Sequence, residues 1–197
     1  KYAAGGQPLD RGLNSQHWLG DNTGPNRSTF YPGTSDQDPH MGKRYRNLLN
    51  TTRAALSELD TRGIEYRIHG FIWMQGEADA KHAIPANRYA QNLQHLHQRL
   101  FADLHHSLPP MIYGQVLPYS PRAERFTHRD EVRQSQANLH HASGHPDAYP
   151  QAHMISTDDI PLSKDNVHYS APGLIQLGER FYTILNTVLI KKASSAK

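Results

Sequence analysis

Tyr66-Arg67-Ile68-His69-Gly70-Phe71-Ile72-Trp73-Met74-Gln75-Gly76-Glu77 is the stretch that decides the fold. It becomes apolar and aromatic toward Met74 without alternating between apolar and polar residues. The pattern predicts a strand over Tyr66 to Met74 that is covered on both faces, as in a parallel sheet. Upstream, Tyr45, Leu48, Leu49, Thr52, Ala55, Leu56 and Leu59 recur every three or four residues, which predicts a helix over Met41 to Leu59 closed by Arg62-Gly63. Downstream, a helix follows Ile84-Pro85 with Tyr89, Leu93, Leu96, Leu100 and Leu104 on one stripe, and Pro109-Pro110 stops it.

The remaining punctuation repeats this alternation. Met111 to Val116 reads as a strand, Arg129 to Ala142 as a polar helix, and Met154 to Thr157 as the last strand. A final helix opens at Ser170 or Ala171, with Leu174, Leu177, Phe181, Leu185 and Val188 facing inward. Strands and helices in this order define an α/β fold with a mostly parallel sheet. Sites in such sheets lie at the carboxyl ends of the strands. Gly5-Gly6, Gln75 to Glu77 and His168 are all expected to emerge there. Residues 1–190 read as one domain, with 191–197 as a disordered tail. Residues 7–39 form a long polar loop, a kind of segment that is usually functional or disordered.

The chain has 197 residues, 21 basic and 18 acidic, for a formal net charge of +3. No run of basic residues is long enough for a nucleic-acid groove, so no nucleic-acid partner is expected. No stretch of eighteen apolar residues is present, and membrane insertion is not expected. Cysteine is absent, which rules out disulfides and thiolate chemistry. The chain starts without Met, and Lys1-Tyr2-Ala3-Ala4-Gly5-Gly6 reads as the end of a strand entering a Gly loop. A fragment or processed piece of something longer is therefore expected.

Two short motifs carry chemistry. In Asp165-Asn166-Val167-His168 a carboxylate precedes a histidine by three residues in a polar turn, so Asp165 can orient the imidazole and His168 can act as a general base. The same pattern also suits a capped turn with a surface histidine. In Trp73-Met74-Gln75-Gly76-Glu77, Gln75 can aim an amide N–H at a developing oxyanion, a role worth on the order of 3 kcal/mol. Glu77 can brace the loop or serve as the acid partner of His168. Backbone N–H groups of Gly5-Gly6 can reach the same oxyanion, although a tight turn explains that pair equally well.

The succession Lys1 to Gly6, the Met41 to Leu59 helix, Trp73-Met74-Gln75-Gly76-Glu77-Ala78-Asp79, Val132-Arg133-Gln134-Ser135-Gln136 and Asp165-Asn166-Val167-His168-Tyr169-Ser170 resembles a known family. It is similar to the sialate O-acetylesterases and acetyl-xylan esterases, carbohydrate esterase family 6 of the SGNH hydrolases. The resemblance covers essentially the whole chain. It implies a three-layer α/β/α flavodoxin-like domain that removes acetyl groups from sugars, with an acetylated carbohydrate as partner and no cofactor or metal. His168 is then the base, Asp165 or Glu77 its acid partner, and Gln75, Gly5 and Gly6 the oxyanion donors. A secreted or periplasmic setting is implied on the same ground, and no sequence feature fixes an oligomeric state.

The family's Gly-Gln-Ser-Asn nucleophile block is not in this chain. Gly6-Gln7-Pro8 has proline where serine is required, and Ser15, Ser28, Ser35, Ser163 and Ser170 lack the strand–turn context. The nucleophilic serine is expected upstream of Lys1, on a first strand interior to a sheet ordered 2-1-3-4-5. Two other functions compete. A metal site would draw on the 14 histidines, but His95 and His97 diverge on a helix, and the pairs His105-His106 and His140-His141 are adjacent. His141 and His145 have helical spacing but are interrupted by Gly144. A non-catalytic carbohydrate-binding pseudoenzyme would use Trp18, Trp73, Tyr119 and Tyr169 as sugar platforms.

Overall fold

The structure, a computed structural model, describes residues 2–12, 26–118 and 125–195. Lys1, Ser15, Trp18 and Tyr119 lie outside these residues. The chain divides into two compact units, one of residues 1–67 and 91–108, the other of residues 68–90 and 109–197.

The first unit holds helix α1 (Lys43–Thr61) and most of α3 (Tyr89–Asp103). The predicted stripe of α3 is buried throughout, from Tyr89 to Leu104. That of α1 thins out: Tyr45 and Leu49 are buried, whereas Ala55 is exposed. Gly63, at φ +63°, closes α1 as expected, and the Ile64 N–H donates back to the Leu59 carbonyl. Residues 2–4 are irregular rather than a strand end, and Gly5-Gly6 form an exposed turn. The Tyr45 hydroxyl donates to Asp103 at 2.5 Å, and the Arg99 Nε donates to the same carboxylate at 3.0 Å.

The second unit holds the sheet. Strands β1 (Phe71–Trp73), β2 (Met111–Gly114) and β3 (Ala152–Ile155) run parallel in that order. Each strand is shorter than its apolar run or offset from it. Between β1 and β2 come a 3-10 turn (Asp79–Lys81), the short α2 (Ala83–Asn87) and α3, so Ile84-Pro85 opens α2, and a break at Arg88 separates it from α3. Helix α4 (Arg129–Leu139) lies between β2 and β3, and α5 (Ala171–Ser195) closes the chain.

Every residue of β2 is buried. Ile112 packs with Ile155 and Ile160 against Leu177 and Phe181 of α5. On the opposite face, the Tyr113 hydroxyl donates to the Gln136 carbonyl of α4 at 2.6 Å. Helix, sheet and helix thus stack as three layers within this unit, in a flavodoxin-like α/β fold.

The inward stripe of α5 differs from the predicted one in its first turn. A Cβ at Gly173 would come within 2.2 Å of the Pro161 carbonyl oxygen, so position 173 faces inward and Leu174 turns out, 57% exposed. Helix α5 also continues through residues 191–195, where the sequence suggests a tail.

The two sheet edges differ. No described strand lies beyond β1, and Ile72 is half exposed. At β3 the segment after α4 covers the edge: the His141 N–H donates to the Ala152 carbonyl at 2.8 Å, and the Met154 N–H donates to His140 Nδ1 at 3.1 Å. Such cover keeps an edge from pairing with another chain.

Candidate active site

The His168 turn is locally closed. Leu162 and Tyr169 form an antiparallel bridge, and the Ser163 N–H donates to the His168 carbonyl at 2.7 Å. Asn166 takes the left-handed conformation at φ +56°, one that asparagine tolerates better than most residues. Asp165 occupies the centre. Its Oδ1 accepts the Ser163 hydroxyl at 2.6 Å and the N–H groups of Val167 and His168 at 3.0 Å each. Its Oδ2 lies 2.5 Å from His168 Nδ1.

A carboxylate bonded to Nδ1 places the imidazole proton there and leaves Nε2 with a free lone pair. The His168 side chain is 80% exposed, so Nε2 is open to a substrate. The Ser163 hydroxyl, then His168 and the two backbone N–H groups, hold the Asp165 carboxyl well below the usual carboxylate range. Just after the turn, Ser170 caps α5: its hydroxyl accepts the Gly173 N–H at 3.2 Å and donates to the Pro161 carbonyl at 3.1 Å.

Gln75 to Glu77 leave the carboxyl end of β1. Gly76 sits at φ +155°, and a Cβ there would meet Val116 Cγ2 at 2.8 Å, so the position requires glycine. Glu77 Oε2 accepts the Gly76 N–H at 3.0 Å. Burial raises the Glu77 carboxyl above its ordinary range; its own N–H, that of Gly76 and the charges of His168 and Lys81 oppose the rise. The Gln-Gly-Glu segment follows the carboxyl end of β1 and the histidine turn lies beyond that of β3, and because the strands are parallel these ends lie on one side of the sheet.

The Gln75 amide is already partly committed. Its Nε2 donates to the buried Asp79 carboxylate at 2.7 Å, and its backbone carbonyl accepts the Tyr89 hydroxyl. Gly5 and Gly6 belong to the other unit, where a Cβ at either would meet open space. The Gln7 Nε2 donates to the Gly5 carbonyl at 3.0 Å.

Of two expected sugar platforms, one is a core residue and the other is half-buried against the core. Trp73 is 9% exposed and stacks on Phe71 at 5.7 Å, and Tyr169 packs against the Ile112–Phe181 cluster. Burial pushes the Tyr169 hydroxyl up to about 12. Three supporting groups carry no short motif of their own: Ser163, which fixes Asp165; Asp79, which holds Gln75; and Arg133. Arg133 joins the loops after β2 and β3 by donating to the Val116 carbonyl at 2.8 Å, Gln115 Oε1 at 2.9 Å and Asp158 at 2.7 Å. Asp79 and Arg133 do lie inside the quoted stretches Trp73 to Asp79 and Val132 to Gln136, and that was the available signal.

Fold and motifs together define a flavodoxin-like α/β domain with an aspartate–histidine pair in the loop after its last strand. Residues 24–186 match the family model for carbohydrate esterases described as sialic acid-specific acetylesterase, and the chain belongs to that family. No curated protein matches the chain. Among solved structures, a protein from Arabidopsis thaliana is similar, with a TM-score of 0.58 and 23% identity, covering 74% of this chain and 53% of that one. The chain thus spans about half the length of that plant protein, a likeness of fold.

Proposed function

We propose that this chain carries the acid–base half of a carbohydrate O-acetylesterase. The observation that supports this most directly is the Asp165–His168 pair, with Nδ1 anchored at 2.5 Å and Nε2 open to solvent. The nucleophile is the serine of a Gly-Gln-Ser-Asn segment, which these 197 residues do not contain. His168 Nε2 takes the serine proton as the hydroxyl oxygen bonds to the acetyl carbonyl carbon. The tetrahedral intermediate collapses, the sugar oxygen leaves with the proton from Nε2, and an acetyl-serine remains. Water, deprotonated by the same Nε2, then attacks the acetyl-serine; acetate departs and the serine recovers its proton.

Asp165 stabilises the imidazolium formed in each half-reaction, and Glu77 is the second carboxylate in range. Gln75, at the carboxyl end of β1, is the oxyanion donor in this reading. Burial of Trp73 weighs against a purely sugar-binding role.

Hydrolysis of p-nitrophenyl acetate tests the reading. The 197-residue chain alone is expected to give no rate above buffer. Joined behind a segment bearing Gly-Gln-Ser-Asn, it is expected to hydrolyse the ester, and His168→Ala is expected to lower the rate by about 10³-fold or more. Activity in the extended chain that survives His168→Ala rules the assignment out.

A further inference from the structure

Three histidines lie together elsewhere in the sheet-bearing unit. His140 and His141 follow α4, and His153 projects from β3. Ring centroids are 4.4 Å apart for His140–His141, 4.3 Å for His141–His153 and 6.5 Å for His140–His153. All three line a cavity of about 640 Å³ whose other wall is α5, with Ile184, Val188 and Lys191. That volume is in the range of small-molecule sites. The cavity takes in Pro150 and Gln151, which lead into β3, and its two middle residues, whereas the Asp165–His168 turn lies beyond the strand's carboxyl end. The two sites are therefore distinct.

We infer that this cavity is a second ligand site and that its ligand is a small organic anion, a carboxylate on an apolar body. Four observations select that chemistry. No aspartate or glutamate is among the lining residues, while Lys191 supplies a cation at the rim. The apolar wall of Ile184 and Val188 suits a hydrocarbon body. Hydrogen bonds to the backbone fix two of the imidazoles: His140 Nδ1 accepts the Met154 N–H at 3.1 Å, so the neutral ring carries its proton on Nε2 as a donor. His141 Nδ1 lies 3.2 Å from the Ala152 carbonyl, which sets its proton there. The first of these bonds uses the Nδ1 lone pair of His140, which is then not offered to a cation. Among the described residues, no three of His, Cys, Asp and Glu are arranged to hold a metal ion.

Proton linkage follows from the same geometry. The titratable groups facing the cavity are His140 and His141 behind α4, His153 from β3 and Lys191 from α5. Burial and the neighbouring His141 hold the His140 ring below the usual imidazole range, and a bound anion opposes that shift. Binding the anion therefore takes up protons, and affinity rises as pH falls.

Titration of the ¹⁵N-labelled chain with sodium hexanoate, with hexanamide as the neutral counterpart, tests this site. Hexanoate is expected to saturate amide shifts centred on His153, Met154 and Val188, about tenfold more tightly than hexanamide, and about threefold more tightly near pH 6 than near pH 8. Lys191→Glu, at an exposed position, is expected to weaken hexanoate about fivefold and leave hexanamide unchanged. Val188→Trp, which fills the cavity, is expected to abolish both. His168→Ala is expected to leave hexanoate binding intact, so the outcome does not depend on the esterase reading. Three results overturn the proposal: equal binding of the amide, shifts centred on the His168 turn, or no saturable shift at about 10 mM hexanoate.

Discussion

Asp165 bonds to His168 and Glu77 ends the Gln-Gly-Glu segment, and their environments push the two carboxyls in opposite directions. Asp165 is held ionised by donors, so its folded-state affinity for a proton lies below that of the unfolded chain. Its contribution to stability is present above the unfolded carboxylate value, about 3.9, and is lost as pH falls below it. Burial raises Glu77, so the native state holds a proton that the unfolded chain releases near pH ~4.3, and stability falls as pH rises from there through the raised value. Urea unfolding at stepped pH should therefore show two opposite trends. The deficit of Asp165→Asn against wild type shrinks as the solution is acidified below pH ~4. Glu77→Gln gains on wild type as pH climbs through the same carboxylate range. Parallel curves for both variants would remove the physical distinction between these two acids. The Asp165–His168 pair was legible because a carboxylate three residues before a histidine can close one turn. Ser163 was not, since a hydroxyl two residues upstream of an aspartate has no periodicity or spacing that sets it apart from any other loop serine.

Gln136 sets the limit on what α4 can lose. It is fully buried, its Oε1 accepts the Val116 N–H at 3.0 Å, and its Nε2 donates to the Gly114 carbonyl at 3.3 Å. Gln136→Leu strands both backbone groups where water cannot reach them. The expected loss is about 2–4 kcal/mol by urea unfolding, and a loss below about 0.5 kcal/mol would mean the strand end is already satisfied by other groups. Helices were more legible than strands for a related reason. The stripe of α3 needs only its own spacing, and it is buried as read. Strand ends depend on partners instead: Met111 pairs with Ala152, so β3 begins two residues before the apolar run that suggested it. The first turn of α5 likewise depends on the Pro161 carbonyl, which excludes a side chain at Gly173 and rotates Leu174 outward. Neither partner is visible from local sequence.

Across the molecule, each compact unit has its own polar lock. In the sheet-bearing unit it is Gln136; in the other it is Asp103, whose side chain is 14% exposed and receives both Tyr45 and Arg99. Asp103→Ala leaves the Tyr45 hydroxyl and the Arg99 guanidinium without this acceptor. It is expected to cost about 3 kcal/mol, read as faster hydrogen exchange of the α1 amides; unchanged exchange there would show that the lock is idle. The α/β alternation was legible from the whole chain because periodicity changes at each boundary, whereas its division into two units rests on contacts between residues far apart in sequence. The cover over β3 has a different reach. Met154 gives its outward amide to an imidazole lone pair, and that lone pair vanishes once the ring takes a second proton. Burial and the neighbouring His141 keep the His140 ring below the usual imidazole range, so the seal survives mild acid. Past that point the backbone along β3 becomes a bare template for foreign strands. Sour solutions should therefore threaten this protein first through sticking and fibril growth, with loss of helical content following later.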